Sequence, residues 1–138
     1  MITTAKKKPT KTKTSLKNSL DKVFSQFIRL RDTPNGIGSC ISCGKPITYS
    51  TCDCGHYVNR KHMSLRFDEY NCNAQCRSCN RFDEGNIQGY RKGLLAKIGE
   101  KKTEMLEIKK HNVSNYGLFE LEFLIKDYRR KVKELSGK

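Results

Sequence analysis

The sequence predicts an α+β chain, with helices at both ends and a metal-stabilised, cysteine-rich centre between them. Three observations carry that expectation. Apolar residues recur at helical spacing over residues 15–31 and again from 86 to the C-terminus. Two Cys-x-x-Cys pairs, Cys40–Cys43 and Cys76–Cys79, stand well apart in the chain. Only 36% of the 138 residues are hydrophobic and Trp is absent, so the core must be small and benefits from a metal staple.

Lys and Arg number 28 against 14 Asp and Glu, a net charge of +14. Residues 1–35 alone hold nine basic and two acidic residues. Such a surplus opposes compaction through self-repulsion, and the common compensating partner is nucleic acid. No apolar run approaches the ~20 residues a membrane helix needs. The start, Met-Ile-Thr-Thr-Ala followed by lysines, lacks the apolar region of a secretory signal. A cytoplasmic protein with no membrane partner is therefore expected. Thiols stay reduced in that compartment, so the seven cysteines read as metal ligands or free thiols.

In chain order, residues 1–14 read as a disordered basic arm, with Lys6, Lys7, Lys8, Lys11 and Lys13 among threonines. Residues 15–138 read as a single domain. The first helix, 15–31, carries the stripe Leu16, Leu20, Phe24, Phe27 and Leu30, widened by Val23 and Ile28, and Asp32-Thr33-Pro34-Asn35-Gly36 ends it. Cys40–Cys43 forms a knuckle that Gly44 closes with positive φ. Lys45 to Asn59 reads as a β-hairpin, with Ile47 and Tyr49 in one arm and Tyr57 and Val58 in the other. After Cys79 the chain enters a helix. Knuckle, hairpin and ligand-bearing helix make a treble clef over the core, 40–99. Gly85, Gly89 and Gly93 share one face of a helix reaching Ile98, and each costs about 1 kcal/mol there. A close neighbour, expected to be another helix, would explain them. Residues 100–138 hold the C-terminal helices. The first is a charged stretch at 100–111. The last is capped by Ser114 or Asn115 and carries Leu118, Leu121, Ile125, Tyr128, Val132 and Leu135, a stripe that docks on helix 15–31 or on a second subunit.

Cys40, Cys43, Cys76 and Cys79 supply the four thiolates that tetrahedral Zn²⁺ prefers, so they are read as a structural zinc site. Cys52, Cys54 and Cys72 are left over. They read as small buried hydrophobes, or, with His56, as a second zinc set in a binding module. His62 and His111 have no partner pattern. Phe82 and Tyr57 are expected in the core rather than stacked on a base.

Asp53, Gly55, His56, Asn71 and Asn80 surround the second Cys pair in an order that resembles the HNH endonucleases, whose ββα sites hold one catalytic metal. Phosphodiester hydrolysis needs a base for water, which an imidazole provides near neutral pH. It also needs a hard cation with oxygen ligands, Mg²⁺ or Mn²⁺. The wider run Cys-Ile-Ser-Cys-Gly, Asp53-Cys-Gly-His56-Tyr57, Arg66-Phe67, Asn71, Gln75-Cys76-x-x-Cys79-Asn80 and Tyr90-Arg91-Lys-Gly93-Leu94 is similar to the NinG or Rap family of phage recombination proteins. The upstream Val23-Phe24-Ser-x-Phe27-Ile28-Arg29 fits too, so the resemblance covers about residues 17–100.

This resemblance implies a zinc-bound treble-clef/ββα-metal core, phage- or prophage-encoded, that cuts branched DNA such as Holliday junctions and D-loops. His56 would be the general base, Asn71 would brace its loop, and Asn80 would be a catalytic-metal ligand. Gly55 stands where such sites often carry a ligand, and Asp53, two residues earlier, is the substitute. Arg60, Lys61, Arg66, Arg77, Arg81 and Arg91 are the residues expected to face DNA. Two cuts in a junction imply a homodimer. The alternatives are a zinc-dependent DNA- or RNA-binding module without catalysis, and a general HNH enzyme nicking duplex DNA.

Overall fold

A computed structural model describes residues 11–137. Helix α1 spans Lys13–Asp32, two residues earlier than the period indicates. Thr12 caps it, its hydroxyl accepting from the Ser15 amide at 3.1 Å. Of the expected basic arm, Lys6, Lys7 and Lys8 lie outside the described residues, whereas Lys13 already belongs to α1.

Two small antiparallel sheets follow. β1 (Ile37–Ser39) pairs with β2 (Pro46–Thr48), and β3 (Cys52–His56) pairs with β4 (Cys72–Cys76). The expected hairpin over 45–59 is therefore corrected. β2 turns back on β1 through the cysteine knuckle, and β3 finds its partner after a loop that contains the short helix α2, Met63–Arg66. The knuckle itself is the turn of the first sheet. The Cys40 amide donates to the Lys45 carbonyl at 2.8 Å, and Gly44, at φ +77°, donates to the Cys40 carbonyl at 2.9 Å.

The helix expected after Cys79 is a single π-helical turn, Ser78–Phe82. Glu84, Gly85 and Asn86 then all take positive φ and break the chain direction. Asn86 caps α3 (Ile87–Ile98) by accepting from the Gly89 amide. α4 (Glu100–Lys109) and α5 (Leu118–Leu135) complete the chain. Gly117 occupies the N-cap of α5, not Ser114 or Asn115, and makes no side-chain cap bond.

The main core lies between α1 and α5, where Leu16, Leu20, Phe24, Phe27 and Ile28 meet Leu121, Ile125 and Tyr128. Tyr128 packs edge-on against Phe24, with ring centres 5.0 Å apart. The last helix thus docks on α1, one of its two expected destinations. Leu30 is only half-buried, and Leu135 is exposed.

A second cluster gathers Cys40, Ile47, Cys52, Ala74, Cys76 and Cys79, and a third joins Val58, Leu65, Tyr90, Leu94 and Leu106. The glycine face of α3 meets the knuckle rather than another helix. A Cβ on Gly93 would lie 2.0 Å from the Ile41 carbonyl oxygen, and one on Gly89 would lie 2.3 Å from that of Ser42. α3 therefore holds the knuckle by backbone contact. No helix among the described residues is long and apolar enough to cross a membrane.

Candidate functional site

Cys40 and Cys43 come from the knuckle, Cys76 from the end of β4, and Cys79 from the π turn. Their sulfurs all lie within 4.8 Å of one another. A tetrahedral zinc with bonds of about 2.3 Å requires sulfurs about 3.8 Å apart, and Cys43 and Cys76 are separated by 3.8 Å. Burial pushes the Cys40 thiol up, but the backbone amides of Cys76, Cys43 and Ser42 outweigh it and hold the group below its usual value. The Cys79 thiol, by contrast, is pushed up to about 12 by burial, a cost that a bound dication removes. Four converging thiols, three of them buried, fit a zinc ion with no open position.

Beyond this cluster, β3 and the π turn form one wall of a cleft whose other wall is α1. Asp21, Asp53, Cys54, His56, Arg60, Arg77, Asn80 and Arg81 line it. Cys54, His56, Arg60 and Asn80 also line an adjoining depression that reaches Glu84.

His56 ends β3 and is half-buried, and its Nε2 lies 3.0 Å from the Arg66 carbonyl oxygen. A carbonyl only accepts, so Nε2 carries the proton and the neutral ring keeps its lone pair on Nδ1. Burial lowers the imidazole pKa below its ordinary value, which favours that neutral form.

Asn71 is fully buried beneath the loop that joins β3 to β4. Its Oδ1 accepts from the Val58 amide at 2.8 Å, and its Nδ2 donates to the Val58 and Leu65 carbonyls at 3.0 and 3.1 Å. The loop that presents the Arg66 carbonyl is thereby tied down at both ends. Tyr90 adds a second brace, a role its sequence context did not assign to it. Fully buried on α3, it donates from its hydroxyl to the Gly55 carbonyl at 2.7 Å. Its place in a helical apolar stripe reads as packing, and only the tertiary contact discloses the hydrogen bond.

Asp53 and Asn80 come together, with Asn80 Nδ2 donating to Asp53 Oδ2 at 3.0 Å. Arg81 grips the same carboxylate with two bonds, of 2.8 and 2.9 Å. Partial burial raises the Asp53 carboxyl, but Arg81 and Asn80 outweigh it and hold the group ionised, below its usual range.

The six expected DNA-facing residues separate into groups. Arg60, Arg77 and Arg81 are exposed and line the cleft, whereas Lys61 is exposed nearby. Arg66 is turned to Asp21 of α1, which also accepts from Arg60 at 2.8 Å. Arg91 stands apart and forms a two-bond pair with Glu107, to which the Tyr57 hydroxyl also donates. Asp21 and Arg29 enter the cleft from the polar side of α1, away from its apolar stripe. Phe82 is 84% exposed rather than in the core. His62 precedes α2 without capping it, and His111 is exposed.

Of the leftover cysteines, Cys54 and Cys72 gather with His56, all three donor atoms lying within 4.8 Å. Cys52 is not among them. It is buried with the zinc-type cluster, and its thiol donates to the Tyr49 carbonyl at 3.7 Å.

The model of the NinG family, described as Bacteriophage Lambda NinG protein, matches residues 2–137. The ninG protein of Escherichia phage lambda is 35% identical over 112 residues, covering 80% of this chain and 52% of that protein. The ninG proteins of Escherichia phage 933W and Salmonella phage P22 are each 36% identical, over 80% and 79% of this chain and 53% and 52% of their own lengths. This chain thus spans about half the length of the curated relatives it matches. No solved structure matches.

Proposed function

Because this chain belongs to the NinG family, we propose that it is a divalent-metal-dependent endonuclease for branched recombination intermediates such as Holliday junctions and D-loops, built on a treble-clef, HNH-like core. The supporting observation is His56, held through Nε2 by the Arg66 carbonyl at 3.0 Å in a cleft that Arg60, Arg77 and Arg81 line. That contact leaves Nδ1 as the proton acceptor, beside side chains suited to a phosphate.

In this reading, Nδ1 of His56 takes the proton of a water that attacks phosphorus in line. Arg77 and Arg81, exposed and already near a carboxylate, turn to the phosphate oxygens. Asn71 and Tyr90 keep the imidazole and the end of β3 from shifting. The ionised Asp53 and the amide oxygen of Asn80 are oxygen donors of the kind Mg²⁺ or Mn²⁺ takes. Such an ion would supply stabilisation of the crowded phosphate charge and of the leaving 3′ oxygen.

Phe82, exposed beside Arg81, favours a branched substrate over ordinary duplex, because an unpaired base offers a face on which it can stack. A homodimer would supply one site per cut strand, within the cytoplasm of the phage- or prophage-carrying bacterium.

The test compares cleavage of a labelled four-way junction with that of matched linear duplex, in Mg²⁺ or Mn²⁺, by wild type and His56→Ala, with zinc assayed in both. Junction-selective cutting that the variant loses, with the zinc of the four-cysteine cluster unchanged, supports the proposal. Binding without cutting would make the protein a nucleic-acid-binding module. Equal cutting of both substrates would make it a general nicking enzyme.

A further inference from the structure

We infer that Cys54, His56 and Cys72 form a second, open site for a soft divalent metal such as Zn²⁺, and that its occupation and hydrolysis by His56 exclude one another. Cys54 and His56 alternate along β3, and Cys72 on β4 lies directly opposite His56. The three donor atoms lie within 4.8 Å of one another, the same limit that encloses the four-cysteine cluster. Two sulfurs and an imidazole are ligands that zinc and cobalt accept, and a set of three leaves the fourth tetrahedral position open. That position adjoins the cleft, since Cys54 and His56 line both of its depressions. The site also has an outer support of the usual kind, because a ligating histidine ordinarily donates its other ring N–H to a carbonyl or carboxylate.

Metal at either ring nitrogen disables the base. On Nδ1 it takes the lone pair that would accept the proton of water. On Nε2 it displaces the proton now given to Arg66, and the neutral ring must then carry its proton on Nδ1. The set is smaller than the four-residue alternative the sequence offers, because Cys52 is packed at the far end of β3, where its thiol donates to the Tyr49 carbonyl. The existence of the site stands apart from the nuclease reading, whereas its inhibitory effect rests on that reading.

The test titrates zinc into the purified chain and counts bound metal, then repeats the titration with Co²⁺ on protein holding one zinc. Wild type should bind about two metals per chain, and the added cobalt should show thiolate charge-transfer and tetrahedral d–d bands. Cys54→Ala, a change at a half-buried position, should bind about one metal and lose those bands, and His56→Ala should do the same. In the same samples, wild-type junction cleavage should fall as the second equivalent binds, and the ratio of activity without and with excess zinc should shrink in Cys54→Ala. One metal per chain throughout, or cobalt spectra without thiolate bands, overturns the site. Two metals with no loss of cutting overturns the exclusion, and two metals with no cutting at any zinc level overturns the nuclease reading while the site stands.

Discussion

The two cysteine clusters occupy opposite ends of one strand pair and are built differently. At the Cys52–Cys76 end, four sulfurs converge from a knuckle, the end of β4 and a π turn, and backbone packing closes the site. At the His56–Cys72 end, three donors meet beside a cleft lined by arginines. A metal at the first would tie the knuckle to the end of β4 and the π turn. The second, if it takes a metal, leaves a coordination position facing the cleft that His56 lines. Closure suits stability and openness suits chemistry, so the contrast separates what keeps this centre folded from what it can do.

The comparison breaks most severely if the four-cysteine end is opened. Removal of zinc, or Cys76→Ser, should abolish cooperative unfolding of the centre, since structural zinc contributes about 10–16 kcal/mol in small domains. Part of the helical circular-dichroism signal should survive, because α1 and α5 bury a core of their own. An unchanged thermal transition in the metal-free protein would refute the structural role.

Next in size is His56→Ala at the other end. Junction cleavage should drop by about 10²–10⁴-fold, the usual worth of a general base, with the melting transition little changed.

Asp32 tests how far the strand pair depends on its supports outside both clusters. Its carboxylate accepts from the Ala74 amide at 2.9 Å and from Arg31 at 2.8 Å. Burial pushes the carboxyl up, but Arg31, Ala74 and Lys97 outweigh it, so its folded pKa lies below the usual value. Its contribution is therefore complete at neutral pH and is lost as pH falls through the folded pKa, below about pH 4. Asp32→Asn should cost about 3 kcal/mol at pH 7, and the urea midpoint of the variant should depend less on acid than that of wild type.

Gly93→Ala should cost about 2 kcal/mol by forcing a Cβ against the Ile41 carbonyl. A competition assay with a zinc chelator should show weaker zinc retention as well, because that carbonyl belongs to the knuckle.

The mildest test is ionic. If Arg81 meets phosphate, Arg81→Ala should reduce the slope of log affinity against log salt by about one. Arg91→Ala should leave the slope unchanged, because Arg91 stands outside the cleft that Arg81 lines.

Much of this molecule was legible in the sequence where the physics is local. Cys-x-x-Cys spacing allows two sulfurs to reach one ion from one turn, so the four cysteines that gather could be named from their intervals. A stripe repeating every three to four residues needs a surface to bury it, so α1, α3 and α5 were visible, to within two residues at the start of α1. Gly44 followed from the knuckle itself.

Only the tertiary structure decided the pairing of strands, because segments of three to five residues carry too little pattern to select a partner. It decided that the glycine face of α3 meets backbone, that Asp21 takes Arg66, and that Arg91 is turned away. It placed Phe82 in solvent. It also put Cys54 and Cys72, but not Cys52, beside His56, since residues that alternate on one strand share a face but not the same neighbours. Ligand type and spacing are written in the chain. Which ligands meet, and which charges remain free for a partner, is settled by contacts between residues far apart in sequence.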